Sequence, residues 1–133
     1  MKTIEEIIRQ AKTIAVVGLS PNPERASYEV ASYLKSQGYR IIPVNPTVAE
    51  VLGEVSYPDL KSIPGPVDVV DIFRRAEDVL PIVEQAIDIK AKAVWMQLGI
   101  VNEPAAERAR QAGLGVVMDR CLMVEHRRLH SGK

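Results

Sequence analysis

Five short apolar runs punctuate the chain: 13–17 (TIAVV), 40–44 (RIIPV), 67–73 (VDVVDIF), 92–98 (KAVWMQL) and 115–118 (GVVM). Runs with so little polar alternation are strands buried on both faces, which requires a parallel sheet covered by helices on either side. The intervening segments supply those helices. Residues 27–37 place Val30, Ala31 and Leu34 on one face and stop at Gly38. Residues 77–90 gather Val79, Ile82, Val83, Ala86 and Ile87, with Glu77 and Asp78 at the positive end of the helix and Pro81 tolerable only in a first turn. Asn102 caps a further helix that ends at Gly113, and its Ala105, Ala109 and Ala112 permit close approach to the sheet. Thr3 and Glu6 form a capping-box pattern ahead of Ile7 and Ile8, which predicts a helix over 3–11. Only 48–66 is irregular, with a short strand expected at 54–57 and a helical turn at 59–62. The repeated strand–helix–strand pattern predicts an α/β, Rossmann-like three-layer fold with a mostly parallel sheet of about five strands. With 133 residues, 47% of them hydrophobic, the chain is expected to form one domain over 1–133.

Charge narrows the partners. Lys plus Arg equals Asp plus Glu at 17 each, so the summed field offers no sequence-independent attraction to nucleic acid or an anionic membrane. The single cysteine, Cys121, excludes an internal disulfide and a four-cysteine zinc site, and His126 and His130 alone make a poor ligand set, so no metal is expected. The opening MKTIEEIIRQAK has no continuous apolar core of a signal peptide, and no run is long enough to span a membrane. These features predict a soluble, unprocessed, cytoplasmic protein with a small-molecule ligand.

In an open parallel sheet all strands end on one rim, and ligands bind in the crevice beyond it where strand order reverses. Gly18 lets the chain turn sharply and approach a ligand, while Ser20 and nearby N–H groups can donate to a phosphate at a helix start capped by Asn22 or Ser27. Any strand-to-helix turn also favours Gly, Ser and Asn, so this loop alone does not define a phosphate site. PVNP, Pro43 to Pro46, fixes the backbone around Asn45, whose amide offers a donor and an acceptor to an adenine or a ribose; a rigid turn would use the same residues. Arg25, Arg74 and Arg75 are candidate phosphate clamps, Arg74 foremost because it directly follows a buried strand, whereas Arg40 starts its strand and should be remote. Gln97 is near the rim, and Trp95 reads as core. A dinucleotide fits less well: positions 20 and 23 are Ser and Pro where G-x-G-x-x-G needs glycine, and Asn45 stands where NAD requires a carboxylate. An NAD(P)-binding redox enzyme or sensor is therefore the second reading.

Cys121 beside Arg120 has the surroundings of an activated thiol, yet a lone cysteine is usually a small buried hydrophobe and no carboxylate orients His126, so no catalytic residue is expected. Glu125, His126, Arg127, Arg128 and His130 are expected in a solvated final helix and tail. There is no nucleophile elbow, HExxH or Walker lysine.

The stretches AVVGLSPNPERASYEVASYL, GYRIIPVNP, VDVVDIFRR and AVWMQLGIVNEPAAERARQAGLGVVMDRC resemble the small stand-alone CoA-binding proteins, a family similar to the N-terminal domain of the succinyl-CoA synthetase alpha subunit. The resemblance runs from about Thr13 to Cys121. It implies a coenzyme A or acyl-CoA ligand and no reaction by the domain alone. Gly18 and Ser20 would then line the nucleotide, Val44, Asn45 and Pro46 would form the next wall, Phe73 and Arg74 would flank it, and Gln97 would stand near the rim centre. The loop GLSPNPER is poorer in glycine than that of the synthetase, and Thr47, Val48, Ala49 and Glu50 come after PVNP where a basic residue is expected. The chain is also expected to lack the synthetase's phosphohistidine domain, so the ligase reaction is not implied.

Overall fold

The computed structural model describes residues 1–131. Helix α1 (Ile4–Gln10) begins with the expected capping box, in which Thr3 Oγ1 accepts from the Glu6 N–H and the Glu6 carboxylate accepts from the Thr3 N–H. It leads into β1 (Thr13–Val17), α2 (Ala26–Ser36) and β2 (Arg40–Val44). A small hairpin of β3 (Glu50–Val51) and β4 (Glu54–Val55) interrupts the alternation. Then come β5 (Val69–Ile72), α3 (Val79–Asp88), β6 (Ala93–Met96), α4 (Glu103–Gln111), β7 (Gly115–Val117) and α5 (Leu122–Ser131). The main sheet has the order β2-β1-β5-β6-β7, and every neighbouring pair is parallel. The α/β Rossmann-like expectation is borne out.

Burial on both faces explains the continuous apolar runs. Along β1, Ala15 and Val17 face α3 and α4, while Ile14 and Val16 face the layer formed by α1, α2 and α5. Crossover connections between parallel strands are right-handed, so each helix must return to the strand starts over one face or the other. The chain goes from β1 outward to β2 and then back to β5 on the other side of β1. That reversal puts a switch point between β1 and β5, where their two connections diverge and leave a crevice.

Several boundaries differ from the sequence reading. Strands β5 and β6 end at Ile72 and Met96, which leaves Phe73 and Gln97 just past the strand ends rather than within them. Residues 77–90 divide into a 3₁₀ turn, Ala76–Asp78, and α3, so Pro81 falls in the first helical turn as required. The expected strand at 54–57 is the second arm of a hairpin whose two turn residues, Leu52 and Gly53, both have positive φ (56° and 76°), the geometry that joins antiparallel strands through two residues. Helix α2 is capped by neither Asn22 nor Ser27: its N-cap is Arg25, with no side-chain cap bond. Asn22 instead accepts from the Glu24 N–H.

The last helix corrects the picture of a solvated tail. Leu122, Met123 and His126 pack into the core facing α1 and α2, and His126 is only 4% exposed. Its Nδ1 shares a 2.7 Å hydrogen bond with the Tyr33 hydroxyl, Tyr39 meets the ring edge-on, and His130 stacks on it at 4.2 Å. Burial, and then the neighbouring His130, push the His126 pKa down. Glu125 is buried too, held by Arg128 at 3.0 Å and Arg120 at 3.6 Å.

Candidate functional site

Above the switch point lies a crevice of about 880 Å³, within the roughly 300–1,000 Å³ usual for small-molecule sites. Its walls come from the segments just past the ends of β1, β2, β5, β6 and β7, so residues far apart in sequence meet there. Of the expected site residues, Gly18, Ser20, Arg25, Asn45, Phe73, Arg74 and Gln97 line it. Val44 and Pro46 do not: Val44 is 3% exposed and points into the core beside Ile42, and Pro46 is exposed.

Gly18 has φ +88°, and a Cβ on it would run into the Phe73 carbonyl. Its close approach is therefore first to the neighbouring loop, which welds the β1 and β5 ends together at the floor of the crevice. Ser20 closes the loop beyond it: its N–H donates to Ser27 Oγ at 3.0 Å, and its own Oγ accepts from the Asn22 N–H at 3.0 Å. Asn45 uses both ends of its amide inside the protein. Its Nδ2 donates to the Leu19 carbonyl, and its Oδ1 accepts from the Thr47 N–H and hydroxyl. Asn45 thus ties the β1 and β2 loops together, and its contribution to the crevice is shape.

The groups left open are those that suit an anion. The N–H groups of Ala26 and Ser27, at the uncapped start of α2, make no hydrogen bond among the described residues, and both residues line the crevice. Uncapped N–H groups at the positive end of a helix dipole attract phosphate. Neither Arg25 nor Arg74 has an ion-pair partner among the described residues; Arg75 is engaged by Glu77 and Asp78, and Arg40 does not line the crevice. Arg74 is the better placed of the two, since its Nε lies 3.4 Å from where a Gly18 Cβ would stand.

Beyond the cationic end the lining changes to Gln97, Leu98, Ile100 and Cys121. Cys121 is half-buried and borders the crevice, a correction to the expectation that it would be core. Trp95 is core as expected, and its indole N–H donates to the Arg120 carbonyl at 2.8 Å, which holds the β7–α5 loop against β6. Sequence reasoning missed Asp71, in the middle of β5. It is fully buried, its Oδ1 accepts from Gln97 Nε2 at 2.6 Å, and its Oδ2 has no partner. Burial pushes its pKa up to about 7, against a smaller downward pull from the Gln97 hydrogen bond. The available signal was a lone carboxylate inside a run otherwise buried on both faces.

The profile of the CoA binding domain family matches residues 12–127. The chain belongs to that family. Over 123 residues it is 44% identical to the uncharacterized protein YneT of Bacillus subtilis, covering 92% of this chain and 91% of that one. A solved structure of a hypothetical protein from Pyrococcus horikoshii OT3 superposes with a TM-score of 0.93 at 46% identity, covering 96% of this chain and 89% of that one. A shorter match, 45% over 60 residues, links 44% of this chain to 13% of the acetate–CoA ligase [ADP-forming] II subunit alpha of Pyrococcus furiosus. No helix among the described residues is long and apolar enough to cross a membrane.

Proposed function

We propose that residues 1–133 form a single CoA-binding domain that holds coenzyme A or an acyl-CoA in the rim crevice, in a cytoplasmic setting, and performs no chemistry unaided. The observation that carries this reading is the set of open donors at the switch point: the two free N–H groups of α2 with Arg25 and Arg74 beside them. Together they would bind the diphosphate, with Arg74 forming a bidentate fork. Gly18, Ser20, Asn45 and Phe73 would shape the nucleotide wall, Val44 and Pro46 supporting it from behind and beside, and Gln97 would meet the remainder of the ligand. Membership of the CoA binding domain family supports the ligand class.

Calorimetric titration with CoA, dephospho-CoA, NAD and NADP in parallel tests the proposal. Saturable binding of CoA with no response to NAD or NADP is expected. A response to the nicotinamide nucleotides alone would replace this reading with the redox one, and the dephospho-CoA arm reports whether the 3'-phosphate is recognised.

A further inference from the structure

Asp71 occupies a position where an aliphatic side chain would be the stable choice. It faces the same layer as Val16 and Val69, pairs across the sheet with Val16 and Trp95, and has no exposure to solvent. A buried carboxyl with one partner and one orphan oxygen costs stability that an apolar residue of similar size would not. What it obtains is control of one side chain. Gln97 Nε2 donates to Asp71 Oδ1 at 2.6 Å, so that end of the amide is committed. Among the described residues the Gln97 Oε1 has no partner, yet the only enclosed side-chain polar atom of those residues without one is Asp71 Oδ2. The Gln97 oxygen therefore opens to the crevice that the residue lines. An amide free at both ends could turn either its oxygen or its NH₂ to the crevice; tied through one N–H to Asp71, its orientation is fixed with the oxygen outward.

We infer that Asp71 is a positioning residue, which fixes the Gln97 amide so that the crevice floor offers a hydrogen-bond acceptor to an N–H of the ligand. This rests on the CoA reading. Within that ligand class two sources supply such a donor: the amides of the pantetheine arm and the amino group of adenine. Neighbouring Leu98 and Ile100 give the same part of the crevice an apolar character suited to the arm.

Calorimetry separates the possibilities, with CoA, 4'-phosphopantetheine and adenosine 3',5'-bisphosphate titrated into the wild type, Asp71→Leu, Gln97→Leu and the double variant, each also melted thermally. Asp71→Leu is expected to be at least as stable as the wild type while CoA affinity falls by about threefold to tenfold, one neutral hydrogen bond. Asp71→Asn, which can still accept from Gln97, restores most of the affinity. The double variant loses no more than either single one, because Asp71 acts through Gln97. A loss seen with 4'-phosphopantetheine assigns the arm, and a loss seen with the bisphosphate assigns adenine. Unchanged CoA affinity in a folded Asp71→Leu, or additive losses in the double variant, overturns the inference. A wild type that ignores CoA overturns the functional reading first, and this inference with it.

Discussion

The crevice rim and the seam between α2 and α5 are both polar places built from distant parts of the chain, but they treat their polar atoms differently. At the seam, Tyr33 and His126 satisfy each other, the Tyr39 hydroxyl donates to the Ile8 carbonyl at 2.6 Å, His130 Nδ1 donates to the His126 carbonyl at 2.9 Å, and Arg127 lies over the Tyr33 ring. At the rim, two helix N–H groups and two arginines have no partner among the described residues. A protein interior pays heavily for unmet hydrogen bonds, so their concentration in one concave place separates a surface prepared for a ligand from a joint that is already closed.

The contrast between seam and rim breaks if mutations at the seam move ligand affinity, or mutations at the rim move stability. The largest effect is expected at His126→Ala, which removes a buried ring and its hydrogen bond and should cost about 2–4 kcal/mol in denaturant unfolding. Its CoA dissociation constant should stay within about twofold of the wild type, since a neutral change remote from the crevice leaves the crevice intact. Next comes Arg74→Ala, expected to lose a charge-assisted hydrogen bond of about 1.5–3 kcal/mol, or about 10- to 150-fold in affinity, with an unchanged melting temperature. An unaltered dissociation constant in the folded variant would remove Arg74 from the site.

The smallest net effect is expected from pH, because two buried groups, Asp71 within the sheet and His126 at the seam, oppose each other. Asp71 is an acid whose folded pKa is raised from 3.8 to about 7, so its contribution is greatest at low pH and is lost as pH rises through about 7. His126 is a base whose folded pKa is lowered below its ordinary 6.5, so its contribution is present above that value and is lost as pH falls through it. Between about pH 5 and 7 the slopes have opposite signs, and the wild-type stability profile should be shallow. Single variants uncover each one. In His126→Ala, stability should fall with rising pH, and in Asp71→Leu it should rise with rising pH. Parallel profiles in the two variants would show that these groups do not govern the titration.

Much of this architecture is legible in the residues. The five apolar runs identify the main strands because a strand sealed on both faces tolerates few polar side chains. Thr3 with Glu6 and Asn102 before Pro104 cap their helices as written, since those contacts are local. What escaped is non-local or hidden by a stronger pattern. The absent cap of α2 could not be read from Asn22 and Ser27, because both are drawn into loop closure by Glu24 and Ser20. Asp71 was masked by the valines and isoleucine around it, and its significance depends on Gln97 from another strand. His126 was grouped with its charged neighbours, although Leu122, His126 and Leu129 at helical spacing place it on the apolar face of α5.

The position of Trp95 has a practical side. It is the only tryptophan in the chain, lies fully buried beside Asp71 in the sheet, and is bonded through its indole nitrogen to the loop that carries Cys121. Excited to the red of its four tyrosines, the protein therefore emits from one indole seated beneath the crevice. Any ligand that shifts the Arg120 carbonyl changes the polarity around that indole, which equips the molecule with its own optical gauge of occupancy and removes the need for an attached dye.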